Sequence, residues 1–163
     1  MMMLRLILLL LGTGLITIQA EEPVNQTIIG SNPFLSAGAY ALRSGDFEEG
    51  LSLTLQGLNT VRTLRDRVSA FNNLCAGYLG LGQFTKALES CDRALELNDR
   101  NWRIFNNRAL ALLGVGRIAA AREDLEKGLA FNPDSPTLAK VASLIEAKEL
   151  SKAVTADREN EKH

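Results

Sequence analysis

From Ser31 onward, apolar residues recur three and four positions apart, which is the spacing of one face of an α-helix. No part of this region shows the period-two alternation of β-branched and polar residues that is typical of strands. The pattern is interrupted at Gly, Pro, Asn and Asp, and it predicts seven helices. Their expected bounds are 33–43, 47–60, 66–80, 84–97, 101–114, 118–131 and 136–157. We therefore expect an all-α protein.

Two stretches in the middle of the chain are similar to each other. Residues 68–98 and 102–132 align without a gap at an offset of 34 residues, with 10 identities in 31 positions. A weaker first copy, at 44–58, is displaced by 37 residues, so three additional residues lie near Thr60–Asp66. Repeated helix pairs predict a stack in which each pair covers the apolar face of its neighbour.

A helix–turn–helix unit of 34 residues resembles the tetratricopeptide repeat. The residues that match the pattern of that family in the second and third repeats are Phe71, Cys75, Tyr78, Gly82, Phe84, Ala87, Phe105, Ala109, Gly116 and Ala121. The sequence departs from the pattern at Arg108, where the family prefers Leu. The resemblance implies a right-handed α-α superhelix of three helix pairs, at about 31–64, 68–101 and 102–135, closed by a capping helix at 136–157.

Asparagine pairs stand in the middle of two first helices, although Asn is a poor helix former that costs roughly 0.6 kcal/mol against Ala. In the family that the chain resembles, the first helices line a concave surface, and polar residues after the large aromatic contact an extended peptide. The resemblance therefore implies a peptide-binding groove. Its candidate residues are Asn72, Asn73, Asn106 and Asn107, with Arg103, Ala76, Leu79, Leu110 and Leu113 nearby. The alternative is that some of these Asn side chains are solvated or bond the next helix.

Some members of the family bind the C-terminal carboxylate of a partner with several Lys or Arg side chains and Asn. Here Leu35 and Ala39 stand where the first repeat would supply Lys and Asn, and Arg103 is the one groove-side cation. We therefore do not expect a complete carboxylate clamp.

The N-terminal region has the organisation of an export signal. Arg5 precedes an apolar run over 6–18, and the small residue Ala20 is followed by two Glu residues. Residues 1–20 are therefore predicted to be a signal peptide that is cut after Ala20. The alternative is an uncleaved membrane anchor, although the run is shorter than the roughly 20 residues of a membrane span. We expect a flexible leader at 21–30 and a disordered tail at 158–163.

The two cysteines lie on the two helices of the second repeat. Cys75 and Cys91 are each eight residues from Gln83 in the predicted turn, so an antiparallel pair places them at similar heights. A disulfide is feasible if both face the seam, and export favours it because the compartment is oxidising. The alternative is that both are small core residues, since the third repeat has Ala109 and Leu125 at these positions.

The composition favours a binding protein over an enzyme. The formal net charge is −1 and the single His is at position 163, so neither a basic nucleic-acid surface nor a His-based catalytic or metal cluster is expected. We expect no cofactor and no metal. The leading hypothesis is a non-catalytic interaction module that binds a peptide or partner protein, periplasmic or secreted. The alternative is a structural, self-associating subunit of an envelope assembly, and the membrane enters only if the signal is not cleaved.

Overall fold

The structure, a computed structural model, describes residues 25–29 and 31–160. This part of the chain contains seven helices and no strand. The helices are α1 (Pro33–Arg43), α2 (Phe47–Leu58), α3 (Leu64–Gly80), α4 (Phe84–Leu97), α5 (Trp102–Gly114), α6 (Ile118–Phe131) and α7 (Pro136–Asn160). The all-α fold of paired helices is confirmed. The predicted signal peptide lies outside the described residues.

Four helix ends differ from the expectation: α2 ends at Leu58 rather than 60, α3 begins at Leu64 rather than 66, α5 begins at Trp102 rather than 101, and α7 ends at Asn160 rather than 157. The differences at α3 and α7 lengthen these helices. Helix α3 begins at Leu64, whereas the position of the repeat that corresponds to the start of α5 is Val68. The insertion between the first and second copies therefore extends α3 at its N-terminus, where Thr63 caps it by accepting a hydrogen bond from Asp66 N–H. Helix α7 continues to Asn160, so the expectation of disorder at 158–160 was wrong. No Pro or Gly follows Pro136 to end the helix, and Arg158 suits the last turn.

The turn inside each pair contains one residue in the left-handed region. Gly45, Gly82 and Gly116 have φ values of +83°, +67° and +76°. Only Gly adopts these values without strain, so the same residue recurs at this position of each repeat.

Successive pairs are held together by an aromatic side chain that lies on a glycine. The ring of Phe47 covers Gly80, and the ring of Phe84 covers Gly114, so that a Cβ at either glycine would overlap the ring. The phenylalanine opens the second helix of one pair, and the glycine ends the first helix of the next. This contact explains why Gly80 and Gly114 are identical in the two repeats.

A disulfide joins the two helices of the second repeat. Cys75 on α3 and Cys91 on α4 are bonded, with their Cα atoms 5.3 Å apart, and both are fully buried. The corresponding Ala109 and Leu125 of the third repeat are buried as well. These positions are thus core positions in both repeats, and in the second one the small side chains are also cross-linked.

Arg108 forms an ionic bridge between three helices. Its Nε and Nη2 donate to the carboxylate of Asp124 on α6 at 2.6 and 2.8 Å, and its Nη1 donates to Asp92 on α4 at 2.7 Å. Asp124 is only 2% exposed, and hydrogen bonding to it raises the pKa of Arg108 further above its ordinary value. The departure from the family pattern at position 108 is therefore matched by an acidic partner.

The second repeat offers a natural replacement for this bridge, because Leu74 and Ser90 occupy the positions of Arg108 and Asp124. We expect Arg108→Leu to lower the free energy of unfolding by roughly 2–3 kcal/mol, since it leaves a buried carboxylate without its cation. The double variant Arg108→Leu/Asp124→Ser should recover most of that loss. Urea unfolding of both variants measures the two effects. A single variant that is as stable as the unaltered protein would show that the bridge contributes nothing.

Candidate functional site

The first helices of the pairs lie side by side, because α1 contacts α3, α3 contacts α5, and α5 contacts α7. Residues 25–29 cross this surface from α7 towards α3, and Ser31 lies beyond them. We call residues 25–29 and Ser31 the leader segment. The expectation of a flexible leader does not describe these residues, because their backbone is hydrogen-bonded to side chains of the helices.

Two asparagines each bind both polar groups of one backbone residue. Asn107 Nδ2 donates to the carbonyl of Gln26 at 2.6 Å, and Asn107 Oδ1 accepts from Gln26 N–H at 2.7 Å. In the same way, Asn73 Nδ2 donates to the carbonyl of Ile28 at 3.0 Å, and Asn73 Oδ1 accepts from Ile28 N–H at 2.8 Å. A primary amide donates and accepts at once, so each side chain replaces the partner residue of an antiparallel strand pair.

The other two asparagines connect the helices to this arrangement. Asn72 Nδ2 donates to the carbonyl of Gln26 at 2.7 Å, and Asn72 Oδ1 accepts from Asn107 Nδ2 at 3.1 Å. Asn106 Nδ2 donates to Asn107 Oδ1 at 3.3 Å. All four Asn residues are fully buried. Through these bonds the asparagines connect α3, α5 and the leader segment.

Bonds at both ends of the leader segment fix its direction. Gln26 Nε2 donates to Thr137 Oγ1 on α7 at 3.4 Å. The side chain of Asn25 donates to the carbonyl of Ala76 on α3 at 3.1 Å, so the direction is set by Gln26 and the residues after it. At the other end, Ser31 donates to Asp66 from its backbone N–H at 2.8 Å and from its hydroxyl at 2.8 and 2.9 Å. The segment therefore runs opposite to the order of the repeats.

Asp66 is the acidic side chain that accepts hydrogen bonds from Ser31 of the leader segment. It lies in the extra turn of α3 and is 5% exposed. Hydrogen bonds from the hydroxyl and the N–H of Ser31 lower the pKa of Asp66, and burial opposes them. The carboxylate is therefore held in its charged form, which is the form that accepts these bonds.

The other residues that the sequence predicted for the groove lie in different parts of the structure. Arg103 lines a recess of about 520 Å³ together with Arg43 and residues 25–29, and its guanidinium lies 4.5 Å from the centre of the Trp102 ring. Leu113 is not a groove residue, since it is buried in the core between α5, α6 and α7. Leu79 and Leu110 are half-buried and pack against the core clusters.

The sequence did not indicate Asp66, Thr137 or the leader segment as parts of the site. The helical period is absent from residues 21–30, so nothing there predicted a contact. For Asp66, the available signal was the three-residue insertion near Thr60–Asp66, which supplies the turn that carries it.

Other kinds of site are not seen in the described part of the chain. No group of three His, Cys, Asp or Glu residues there could hold a metal ion. None of the helices over the same residues is long and apolar enough to cross a membrane.

The contact between Ser31 and Asp66 can be measured by a double-mutant cycle of Ser31→Ala and Asp66→Asn. We expect a coupling free energy of about 1 kcal/mol or more at neutral pH, because the hydroxyl bonds a charged, buried acceptor. Since the folded-state pKa of Asp66 is lowered, the contribution is complete above the unfolded pKa of about 3.9 and is lost as the pH falls through the folded value.

Urea unfolding at neutral and acidic pH gives the cycle. Asp46→Asn, which alters the N-cap of α2, is the control and should show no coupling to Ser31→Ala. A coupling free energy of zero between Ser31→Ala and Asp66→Asn at neutral pH would contradict the contact.

Comparison with known proteins agrees with the repeat pattern. A family model described as the tetratricopeptide repeat matches residues 74–146. A comparison with curated protein sequences finds no match.

Solved structures with the same fold include tetratricopeptide repeat domains. The first such domain of human RPAP3 is 19% identical, with a TM-score of 0.63, and the match covers 74% of this chain and 92% of that one. The Hsp90 co-chaperone Cns1 from Saccharomyces cerevisiae is 18% identical, with a TM-score of 0.71, over 79% of this chain and 42% of that one. The first such domain of Spaghetti, solved with an HSP90 peptide, is 18% identical with a TM-score of 0.63, over 74% and 93%.

These identities establish the fold and leave the ligand open. The repeat of 34 residues, the left-handed glycine of each turn, the stacked pairs and the match to the family model all agree. Residues 74–146 therefore match the tetratricopeptide repeat family, and the described part of the chain has the fold of such domains.

Proposed function

We propose that this protein is an exported, non-catalytic interaction module that binds an extended segment of a partner protein in its concave groove. The observation that carries the proposal is the pair of amide contacts, in which Asn107 and Asn73 each bind the N–H and the carbonyl of one backbone residue. A surface that satisfies an extended backbone in this way has the chemistry of peptide recognition by strand addition.

The groove bonds to the backbone of alternate residues of its ligand. Gln26 and Ile28 are bonded through their backbones, so their side chains are not required for these contacts. Ile28 also packs beside the core cluster that contains Val68 and Ile104, which favours an apolar residue at that position. Asp66 adds a preference for a residue with a hydroxyl group at the position of Ser31, three residues after Ile28. We therefore expect broad sequence tolerance with two preferred positions.

Proteins of similar fold support peptide binding in general. Spaghetti was solved with the HSP90 peptide SRMEEVD, and the second tetratricopeptide repeat domain of human RPAP3 was solved with the HSP70 peptide SGPTIEEVD. The present chain does not favour such acidic tails, because Leu35 and Ala39, where a carboxylate clamp would place Lys and Asn, are fully buried. A neutral, extended stretch of chain fits the amide groups better.

The cysteine pair supports an extracytoplasmic location. The disulfide between Cys75 and Cys91 requires an oxidising environment to persist, and the N-terminal apolar run predicts export into one. We place the protein in the periplasm, or outside the cell.

Selection of peptides tests the proposal. The mature chain with Gln26→Pro and Ile28→Pro is immobilised, since these changes remove the two N–H donors of the leader segment and open the groove. Peptides selected from a phage library should bind about tenfold or more weakly when Asn73→Ala and Asn107→Ala are added, because two donor–acceptor groups are lost.

Glu89→Ala, an exposed change on α4, is the matched control and should leave affinity unaltered. Far-UV circular dichroism checks that each variant is folded. Peptide affinity that is unchanged by Asn73→Ala and Asn107→Ala, or a library that yields no peptide, would contradict a peptide-binding groove.

A further inference from the structure

The groove of this protein is already occupied by its own chain. The leader segment contributes the backbone groups of Gln26 and Ile28 to the amides of Asn107 and Asn73, and those amides are fully buried. A partner strand that used the same amides would need the same donors and acceptors. The two strands therefore cannot be bound at the same time.

The leader segment is held mainly through its backbone. Within the described residues, no hydrogen bond is made by the amides of Thr27 or Ile29, and the side chain of Ile29 is 55% exposed. The open recess of about 520 Å³ lies directly beside residues 25–29. Ile28 packs beside the core, but the flank of the segment at Ile29 is exposed, and an exposed flank is a feature of segments that open locally.

The connection to the fold shows that the segment is bound by its own molecule. Ser31 is fixed to Asp66, and α1 begins two residues later at Pro33 after the Asn32 cap. The leader segment therefore enters the groove directly from the first helix. A tether this short keeps the segment at a high effective concentration, of the order of millimolar or above.

We propose that the leader segment is the resident ligand of the groove and that a partner strand binds by displacing it. This rests on the proposed peptide-binding function and adds its regulation. The apparent affinity for a partner is then reduced by the fraction of molecules in which the groove is open. The preferred partner is an extended strand with the backbone pattern of residues 26–28 and a hydroxyl residue placed to reach Asp66.

A synthetic, fluorescent peptide of residues 21–32, EEPVNQTIIGSN, is the probe. It is titrated against the full mature chain and against the Gln26→Pro/Ile28→Pro variant. The variant lacks both N–H groups that Asn107 and Asn73 accept, so its groove is vacated. We expect the variant to bind the probe at least about tenfold more tightly than the unaltered chain, because the internal competitor is weakened.

Thr27→Pro/Ile29→Pro is the matched control. It introduces the same number of prolines and favours the same extended backbone, but it keeps the two bonded N–H groups. It should bind the probe as weakly as the unaltered chain. Adding Asn73→Ala and Asn107→Ala to the opened variant should remove the gain.

Two results would overturn the proposal in different ways. Equal affinity of the unaltered chain and the opened variant would show that the leader segment does not occupy the groove, while peptide binding itself would stand. Absence of probe binding to the opened variant would show that the vacated groove does not take this strand at all. If the phage selection with that variant also fails, the peptide-binding function fails with it.

Discussion

The buried amides of Asn73 and Asn107 are the constraint on which the concave side of this protein depends. A buried amide that lacks partners costs about 1–3 kcal/mol, so these side chains require donors and acceptors. The helix backbones do not supply them, because their polar groups are used within the helices, and the side chains of Asn72 and Asn106 supply only part of what Asn107 requires. The leader segment supplies them, and its own N–H and carbonyl groups are satisfied in the same contacts. The asparagine amides and the backbone groups of the leader segment therefore satisfy each other's hydrogen bonds where water is excluded.

The repeat period explains why two asparagines can bind one strand. A spacing of 34 residues places Asn73 and Asn107 at equivalent positions of neighbouring first helices, which pack roughly 8–10 Å apart. Alternate residues of an extended chain lie about 6–7 Å apart and present their polar groups to the same side. A strand that crosses the helices therefore meets one amide with Gln26 and the next with Ile28. The two spacings are of the same order, so one strand can bond to amides on both helices.

Sequence reasoning located the helices well because their signals are local. The glycine of each turn, the recurring aromatic and the prolines at helix edges each act within one repeat, and the predicted bounds of α1, α4 and α6 agree with the structure. The insertion near Thr60 was visible, but its consequence, an added turn that carries Asp66, depends on how α3 meets the leader segment. The periodic pattern also could not separate Leu113, which faces the core, from residues of the groove.

The leader segment was beyond the reach of such reasoning for a physical reason. Its contacts to Asn73 and Asn107 span 45 and 81 residues of sequence and use the backbone, so neither hydrophobic period nor residue type records them. The unexplained asparagine pairs were the only trace. A polar residue that costs helix stability and recurs in the repeat has to be satisfied by something, and here that is the chain itself.

Amide hydrogen exchange of the protein, followed by NMR at residues 26–29, tests the central claim most directly. The amides of Gln26 and Ile28 are bonded to buried side chains, and those of Thr27 and Ile29 make no hydrogen bond within the described structure. The account predicts an alternating pattern, with the first two exchanging at least about tenfold more slowly than the second two. Four amides that exchange equally fast would contradict it, because the groove would then be empty in solution.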